Sequence, residues 1–222
     1  MLGSFSEVPP RIARPAGRLT LFNEGGGRTP IFWCFNHYAE PVLLAARLGA
    51  DQPLYAMHSF QGILVEGDEK RRHGPALARL YAEEIRAITG SAPILIGGNC
   101  QSAPIIEIAA RTIAAGRARP PLLTMLESEP ARTYDGPLLM LFGDRSERYN
   151  PFLRRGDPVA RWRSRHPEFA WGIVRGAHGT YFREPGVGDL AGFLRRAVDA
   201  MERMDRLGNG VLRLDDLDPD PA

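Results

Sequence analysis

Leu95-Ile96-Gly97-Gly98-Asn99-Cys100-Gln101-Ser102-Ala103 reads as a strand driven into a sharp turn and out into a helix. Pro93 to Ile96 supplies the strand and Ala103 to Ala115 the helix. Pro104 falls in that helix's first turn, where its missing N–H loses no intrahelical bond. The G-x-S-x-G pattern of a nucleophile elbow needs small flanking residues, because the central residue sits in strained backbone geometry and bulky neighbours collide at the strand-to-helix crossing. Gly98 keeps the first small position; Cys100 stands where serine is usual and Ser102 replaces the second glycine. The stretch offers a sulfur nucleophile. Taken alone it also reads as core, since free cysteine is among the most buried residue types.

Outward from this turn, apolar runs alternate with helical patterns. Leu19 to Phe22 and Pro30 to Phe35 read as strand, tight turn, strand across Glu24-Gly25-Gly26-Gly27-Arg28. Pro41 to Leu48 reads as a short helix and Pro53 to Met57 as the next strand. Pro75 to Thr89 is a long amphipathic helix, with Leu77, Leu80, Tyr81, Ile85 and Ile88 at helical spacing. Beyond the elbow, strands at Leu122 to Leu126, Leu138 to Phe142 and Trp171 to Val174 precede a closing helix from Gly188 to Met204. This alternation predicts an α/β fold with a mostly parallel, doubly wound sheet, whose chemistry lies at the carboxyl ends of strands. Cys100, Glu127, Asp144 and His178 all fall just past such ends.

A chain of 222 residues holds one well-buried domain, expected over 18–204. Residues 1–17 are Pro/Arg-rich and aperiodic, a linker or an arm draped on the domain, and 205–222 form an acidic tail expected to be disordered. The net charge is only +2, with Lys70 the sole lysine and the arginines scattered among acids, which argues for a solvated surface and against a nucleic-acid partner. Cys34 and Cys100 form no C-x-x-C pair and no zinc spacing, so neither a structural disulfide, a metal nor a resident cofactor is expected. Met1 to Ala16 lacks an apolar leader and no run reaches membrane-span length; the expected setting is cytoplasmic and reducing, which suits a working thiolate. The remaining features take plain readings: Cys34 as packing, His58 as a surface loop, Trp33, Trp162 and Trp171 as core or cleft wall, Arg145 and Arg148 as a solvated loop beside the site.

A thiol of ordinary pKa is roughly 3% thiolate at neutral pH. An adjacent imidazole raises that fraction and later hands the proton to the leaving group. His178 lies in a Gly-Ala-His-Gly turn, last in the order nucleophile, acid, histidine. The imidazole needs a carboxylate to fix its tautomer and stabilise its charge. Two positions compete for that role, Glu127 at the end of one strand and Asp144 at the end of the next.

Several stretches resemble the thioesterase domains of non-ribosomal peptide and polyketide synthases. They are the Gly/Arg/Pro-rich turn into a Pro-Ile-Phe strand, Leu48-Gly49-Ala50-Asp51-Gln52-Pro53-Leu54-Tyr55, the Gly-Gly-x-nucleophile unit within Tyr81 to Ala115, Leu123-Thr124-Met125-Leu126-Glu127-Ser128, and Arg175-Gly176-Ala177-His178 followed by Phe182-Arg183-Glu184-Pro185. The similarity runs in order from Leu19 to Met201. It implies an α/β-hydrolase fold and a two-step acyl transfer in natural-product biosynthesis. An acyl chain carried on the phosphopantetheine of an acyl or peptidyl carrier protein moves to the nucleophile, then to water, a hydroxyl or an amine. It also implies Cys100 as nucleophile, His178 as base and Glu127 as acid. The oxyanion hole would use the backbone N–H of Gln101 and one from the loop after Phe35, with Tyr38 the nearest candidate and His37 beside it.

The chain departs from that pattern in four ways. Cysteine replaces serine, glutamate replaces the commoner aspartate, Asn36-His37-Tyr38-Ala39 replaces a His-Pro-x-Gly-Gly loop, and Ser128 to Pro137 leaves no room for the usual helical lid. The cleft is therefore expected to be open, with water less excluded. Because an acyl-thioester enzyme is nearly isoenergetic with the incoming thioester, its intermediate keeps its reactivity toward amines, hindered hydroxyls and ring closure. No carrier-protein segment precedes Leu19, so a carrier is expected either in trans or beyond this sequence. Two rival readings stay open: a cysteine hydrolase of the dienelactone hydrolase kind, which would promote Asp144, and a non-catalytic acyl- or protein-binding module with Cys100 as core.

Overall fold

Among the described residues, nine strands make one sheet: β1 (Arg14–Ala16), β2 (Leu19–Phe22), β3 (Ile31–Phe35), β4 (Leu54–His58), β5 (Leu95–Asn99), β6 (Leu122–Leu126), β7 (Leu138–Gly143), β8 (Phe169–Val174) and β9 (Gly210–Val211). The computed structural model describes residues 14–60, 68–154, 156–207 and 210–212. The strand order is β1-β2-β4-β3-β5-β6-β7-β8-β9. Pairs β1–β2 and β2–β4 are antiparallel and all others parallel. The mostly parallel sheet expected from the alternation is present. The strand, turn and strand read over Leu19 to Phe35 are present, but β2 pairs with β4 and not with β3. The Gly-rich connection instead crosses the approach to β4, where a Cβ on Gly26 would lie 2.4 Å from the Asp51 carbonyl oxygen.

Both faces of the sheet are covered, which is why its central strands are apolar throughout and not alternating. Along β3, Ile31, Trp33 and Phe35 enter the core beneath α1 (Glu40–Leu48) and α6 (Gly186–Glu202). Phe32 and Cys34 enter the opposite core beneath α2 (Asp68–Thr89) and α3 (Ala103–Ala114). Trp33 and Trp162 are fully buried, and Trp171 packs partly buried on the second core. α2 starts at Asp68, ahead of the expected Pro75, which the helix absorbs in its interior at the loss of one backbone bond.

Two short helices, α4 (Pro151–Arg154) and α5 (Val159–Arg165), escaped the sequence reading because neither is long enough to display a helical period. α5 is held by Trp162, which stacks on Phe142 with ring centroids 5.8 Å apart and donates through Nε1 to Glu129 at 2.9 Å. Part of each expected flank is ordered: Arg14–Ala16 forms β1, and Gly210–Val211 forms β9 beside β8. Residues 1–13 and 213–222, with the acidic stretch, lie outside the described residues.

No helix occupies residues 128–137 between β6 and β7. That connection is pinned flat instead. Glu107 of α3 accepts from the N–H groups of Ala131 and Arg132, and Arg111 donates to the carbonyls of Arg132 and Thr133. The lid insertion is missing, as its length predicted.

Candidate active site

The site lies where the chain order of the sheet reverses, between β3 and β5, the usual place for a ligand crevice in an open α/β sheet. Cys100 leaves β5 with φ 45°, a left-handed conformation that costs a side-chain-bearing residue roughly 1–2 kcal/mol. A single 3-10 turn, Cys100–Ser102, then carries the chain into α3. The elbow's need for small neighbours is visible in atoms: a Cβ on Gly98 would lie 2.3 Å from Ser102 Oγ and 3.0 Å from the Cys34 carbonyl. Ser102 fits the second small position because it is fully buried and its hydroxyl turns back to donate to the Asn99 carbonyl at 3.1 Å.

Cys100 Sγ lies 3.8 Å from His178 Nε2, and His178 Nδ1 lies 3.2 Å from Glu127 Oε2. The Glu127 side chain is wholly buried, while 42% of the His178 side chain remains exposed, so the relay runs from the interior to the cleft. Glu127 also has positive φ, 63°, and is fixed by two further donors: Gly143 N–H to Oε1 at 2.7 Å and the Ser146 hydroxyl to Oε2. Neither donor carries a sequence signature of its own. Both come from the turn after β7, which folds over the carboxylate.

Asp144 is not brought to His178. Its Oδ1 accepts from the N–H of Gly176 at 2.7 Å and lies 3.4 Å from Arg145 Nε. Asp189, buried in the first turn of α6, holds the neighbouring residue through the backbone N–H, Nε and Nη2 of Arg175. Asp144 and Asp189 thus shape the turn that presents the imidazole.

Tyr149, which no sequence signal marks, stacks on His178 at 4.2 Å between ring centroids, and the Arg148 guanidinium lies 5.5 Å from the Tyr149 ring centroid in a cation–π contact. Burial pushes the Cys100 thiol above its ordinary value and the charge of Glu127 adds to that; the Tyr149 hydroxyl, Arg148 and the Gln101 N–H act in the opposite direction. The sulfur therefore rests as a thiol at neutral pH. Cys34, fully buried, is pushed up far more by desolvation.

A cavity of about 110 Å³ opens onto the sulfur, with Cys100, Gln101, Asn99, His178 and, from the loop after β3, Asn36, His37 and Glu40 in its wall. Gln101 stands where the elbow predicts. Tyr38 does not line the cavity: it is 69% exposed and its ring rests on His58, 4.7 Å away. The physical reason is Glu40, whose Oε2 draws in the N–H groups of Asn36 at 3.0 Å and His37 at 3.2 Å and curls the loop beneath it. Asn36 braces that loop, donating from Nδ2 to the Asn99 carbonyl at 3.0 Å and accepting from Ser59. Among the described residues no group of three His, Cys, Asp or Glu side chains could hold a metal, and no helix is long and apolar enough to cross a membrane.

No family model matches the chain, and no curated protein matches it in sequence. Solved structures do match it in three dimensions. The NocB thioesterase domain of the nocardicin cluster superposes with a TM-score of 0.59 at 16% identity, over 82% of this chain and 99% of its own. SrfTE, a thioesterase domain described as cyclising the lipopeptide antibiotic surfactin, gives 0.59 at 12% identity, over 83% and 96%. YbtT, a type II thioesterase of the yersiniabactin NRPS/PKS pathway, gives 0.56 at 14% identity, over 86% and 98%. At these identities the likeness establishes one thing, that this chain has the α/β-hydrolase fold those thioesterases use.

Proposed function

We propose that this protein is a thioesterase-like acyl transfer enzyme with Cys100 as nucleophile, His178 as base and Glu127 as acid. The observation that carries the reading is the unbroken relay Cys100 Sγ to His178 Nε2 to Glu127 Oε2, at 3.8 and 3.2 Å, on a nucleophile held at φ 45°. Glu127 accepts Nδ1–H, which leaves Nε2 as the acceptor for the thiol proton. Because burial keeps the resting sulfur protonated, proton transfer to His178 accompanies attack on the thioester carbonyl. The Gln101 N–H, at the start of α3, stabilises the developing oxyanion. Collapse of the tetrahedral intermediate breaks the acyl–sulfur bond of the incoming thioester, and His178 returns the proton to the departing thiol. Water, a hydroxyl or an amine then takes the acyl group from Cys100.

The substrate class proposed is an acyl chain on the phosphopantetheine of an acyl or peptidyl carrier protein, in natural-product biosynthesis. Support comes from the fold shared with NocB, SrfTE and YbtT and from the ordered motifs of the core. A small cleft without a lid favours transfer or cyclisation at least as much as hydrolysis, since a thioester intermediate stays reactive toward acceptors other than water. The test is intact-protein mass spectrometry after incubation with acyl-pantetheine thioesters, with and without amine acceptors. The expected result is an acyl adduct on Cys100, absent in Cys100→Ala, that yields amide when an amine is present. A protein that never loads overturns the enzymatic reading, and free acid alone under both conditions overturns the transfer preference.

A further inference from the structure

A hydrogen bond in its plane fixes one atom of an imidazole and leaves the ring free to tip about that atom. The backbone beneath His178 is well held: Asp144 accepts from the Gly176 N–H at 2.7 Å, the Thr180 hydroxyl donates to the Ala177 carbonyl at 2.8 Å, and the Arg175 N–H donates to Asp189. The ring is anchored in its plane by Glu127 at 3.2 Å, while 42% of the side chain is exposed. At 3.8 Å the contact from Nε2 to Cys100 Sγ is already long, so a small tilt of the ring breaks it. Tyr149 covers one face of that ring, with 4.2 Å between centroids and 26° between planes, and Tyr181 meets it edge-on at 6.5 Å. The turn that carries Tyr149 is itself rigid. The Ser146 carbonyl accepts from the N–H groups of Tyr149 at 3.1 Å and Asn150 at 2.8 Å, and buried Asn150 donates from Nδ2 to the Gly143 carbonyl at 2.8 Å. Gly143 and Ser146 are the residues that hold Glu127, so the acid's anchors and the aromatic ring belong to one turn.

We propose that Tyr149 is a positioning residue for the acylation step: its ring, carried by the turn that also fixes Glu127, keeps the His178 imidazole from tipping off the Cys100 sulfur. This rests on the reading of Cys100 as nucleophile and His178 as base. Glu127 sets where Nδ1 lies, and the parallel phenol ring sets the plane of the imidazole. Together the two constraints leave Nε2 one direction. Stacked aromatic rings attract beyond the area they bury, so the pair holds its plane without a further hydrogen bond. The Tyr149 hydroxyl acts on the sulfur itself, which places the ring alongside the gap that the thiol proton crosses. Tyr149 does not line the cavity, so the substrate need not touch it. In the loading step the thiol proton passes to Nε2 as the new S–C bond forms and the pantetheine C–S bond breaks, and the pantetheine sulfur leaves with that proton. A tilted imidazole loses the first transfer while substrate binding is untouched.

Single-turnover loading of the full chain by propionyl-pantetheine near neutral pH, read by intact-protein mass spectrometry over a range of thioester concentrations, tests the role. Tyr149→Leu is expected to lower the maximal loading rate about tenfold or more, with the half-saturating concentration unchanged, and Tyr149→Phe to restore the rate to within about threefold. Both variants lack the hydroxyl, so their difference isolates the ring. Iodoacetamide at alkaline pH, where the sulfur ionises without help from His178, is expected to alkylate Cys100 equally fast in the two variants. Slower alkylation of the leucine variant would place the damage at the elbow or in the fold and overturn the role. Loading of Tyr149→Leu at the unmodified rate overturns it too, as does a phenylalanine variant as slow as the leucine one, or a leucine variant that changes only the half-saturating concentration. Failure of the unmodified protein to load overturns the assignment of Cys100 on which the role rests.

Discussion

The two walls of the Cys100 cavity are built on opposite principles. The acid–base wall comes from the ends of β6, β7 and β8, and its carboxylates are held by fixed donors: Gly143 N–H and Ser146 on Glu127, Nδ1 of His178 on the same carboxylate, Gly176 N–H on Asp144. The loop wall comes from the residues after β3, and its backbone donors are already spent on the protein's own Glu40. A preorganised hydrogen-bond chain thus faces a loop folded around its own carboxylate. On the proposed mechanism, oxyanion stabilisation then falls on the Gln101 N–H at the elbow.

The comparison breaks most visibly at the carboxylate. Glu127→Gln keeps the shape but allows the wrong imidazole tautomer, so the acylation rate is expected to fall about 10³–10⁴-fold, as a triad acid-to-amide change does. Asp144→Asn retains an oxygen for the Gly176 N–H and should change the rate only a few-fold. Steady-state turnover of an acyl-pantetheine thioester measures both. If Asp144→Asn proves the more damaging, the relay runs through the wrong strand end and the rigid-wall picture fails.

The sequence shows the first wall and hides the second for a physical reason. Cys100, Glu127 and His178 each follow an apolar strand, and a parallel sheet fixes where such residues point, so their convergence follows from topology. The small residue at Gly98 is equally legible, because the crossing of β5 and α3 leaves no volume for a Cβ. Only chain proximity points to Tyr38, and nothing local signals that Glu40, four residues beyond Asn36, reaches back to claim the loop's N–H groups. Ser146 and Tyr149 were silent likewise, since their roles arise from how one turn folds over Glu127 and His178. The interposition of β4 between β2 and β3 is again a matter of which strand wins a neighbour, which local pattern does not encode.

The relay can be sharpened by its proton. A nucleophile stored as a thiolate–imidazolium pair alkylates at a rate that levels off near neutrality, whereas a thiol pushed up by burial does not. With Cys100 raised, the thiolate fraction below its pKa grows tenfold per pH unit. The iodoacetamide rate should therefore keep climbing past the ordinary thiol value of about 8.5. Cys34, fully buried, should stay unmodified in the folded protein across the same range. Mass-spectrometric alkylation kinetics from neutral to alkaline pH report both sites at once. A plateau near neutral pH would mean that the acid–base wall stores charge and does not merely accept it in the transition state.

The smallest expected effect probes the loop wall itself. Asn36→Ala removes the bond from Nδ2 to the Asn99 carbonyl and the acceptor of the Ser59 hydroxyl, both partly buried. A typical intramolecular hydrogen bond contributes about 1 kcal/mol, so stability in urea should drop by about 1–2 kcal/mol with an unchanged slope. The loop then loses its tie to the nucleophile's own strand, while Glu127, Ser146 and His178 keep theirs. Cys100 alkylation should accordingly retain its pH dependence in this variant. A change in that dependence would mean that the two walls are mechanically coupled through Asn99, and that the loop positions the sulfur.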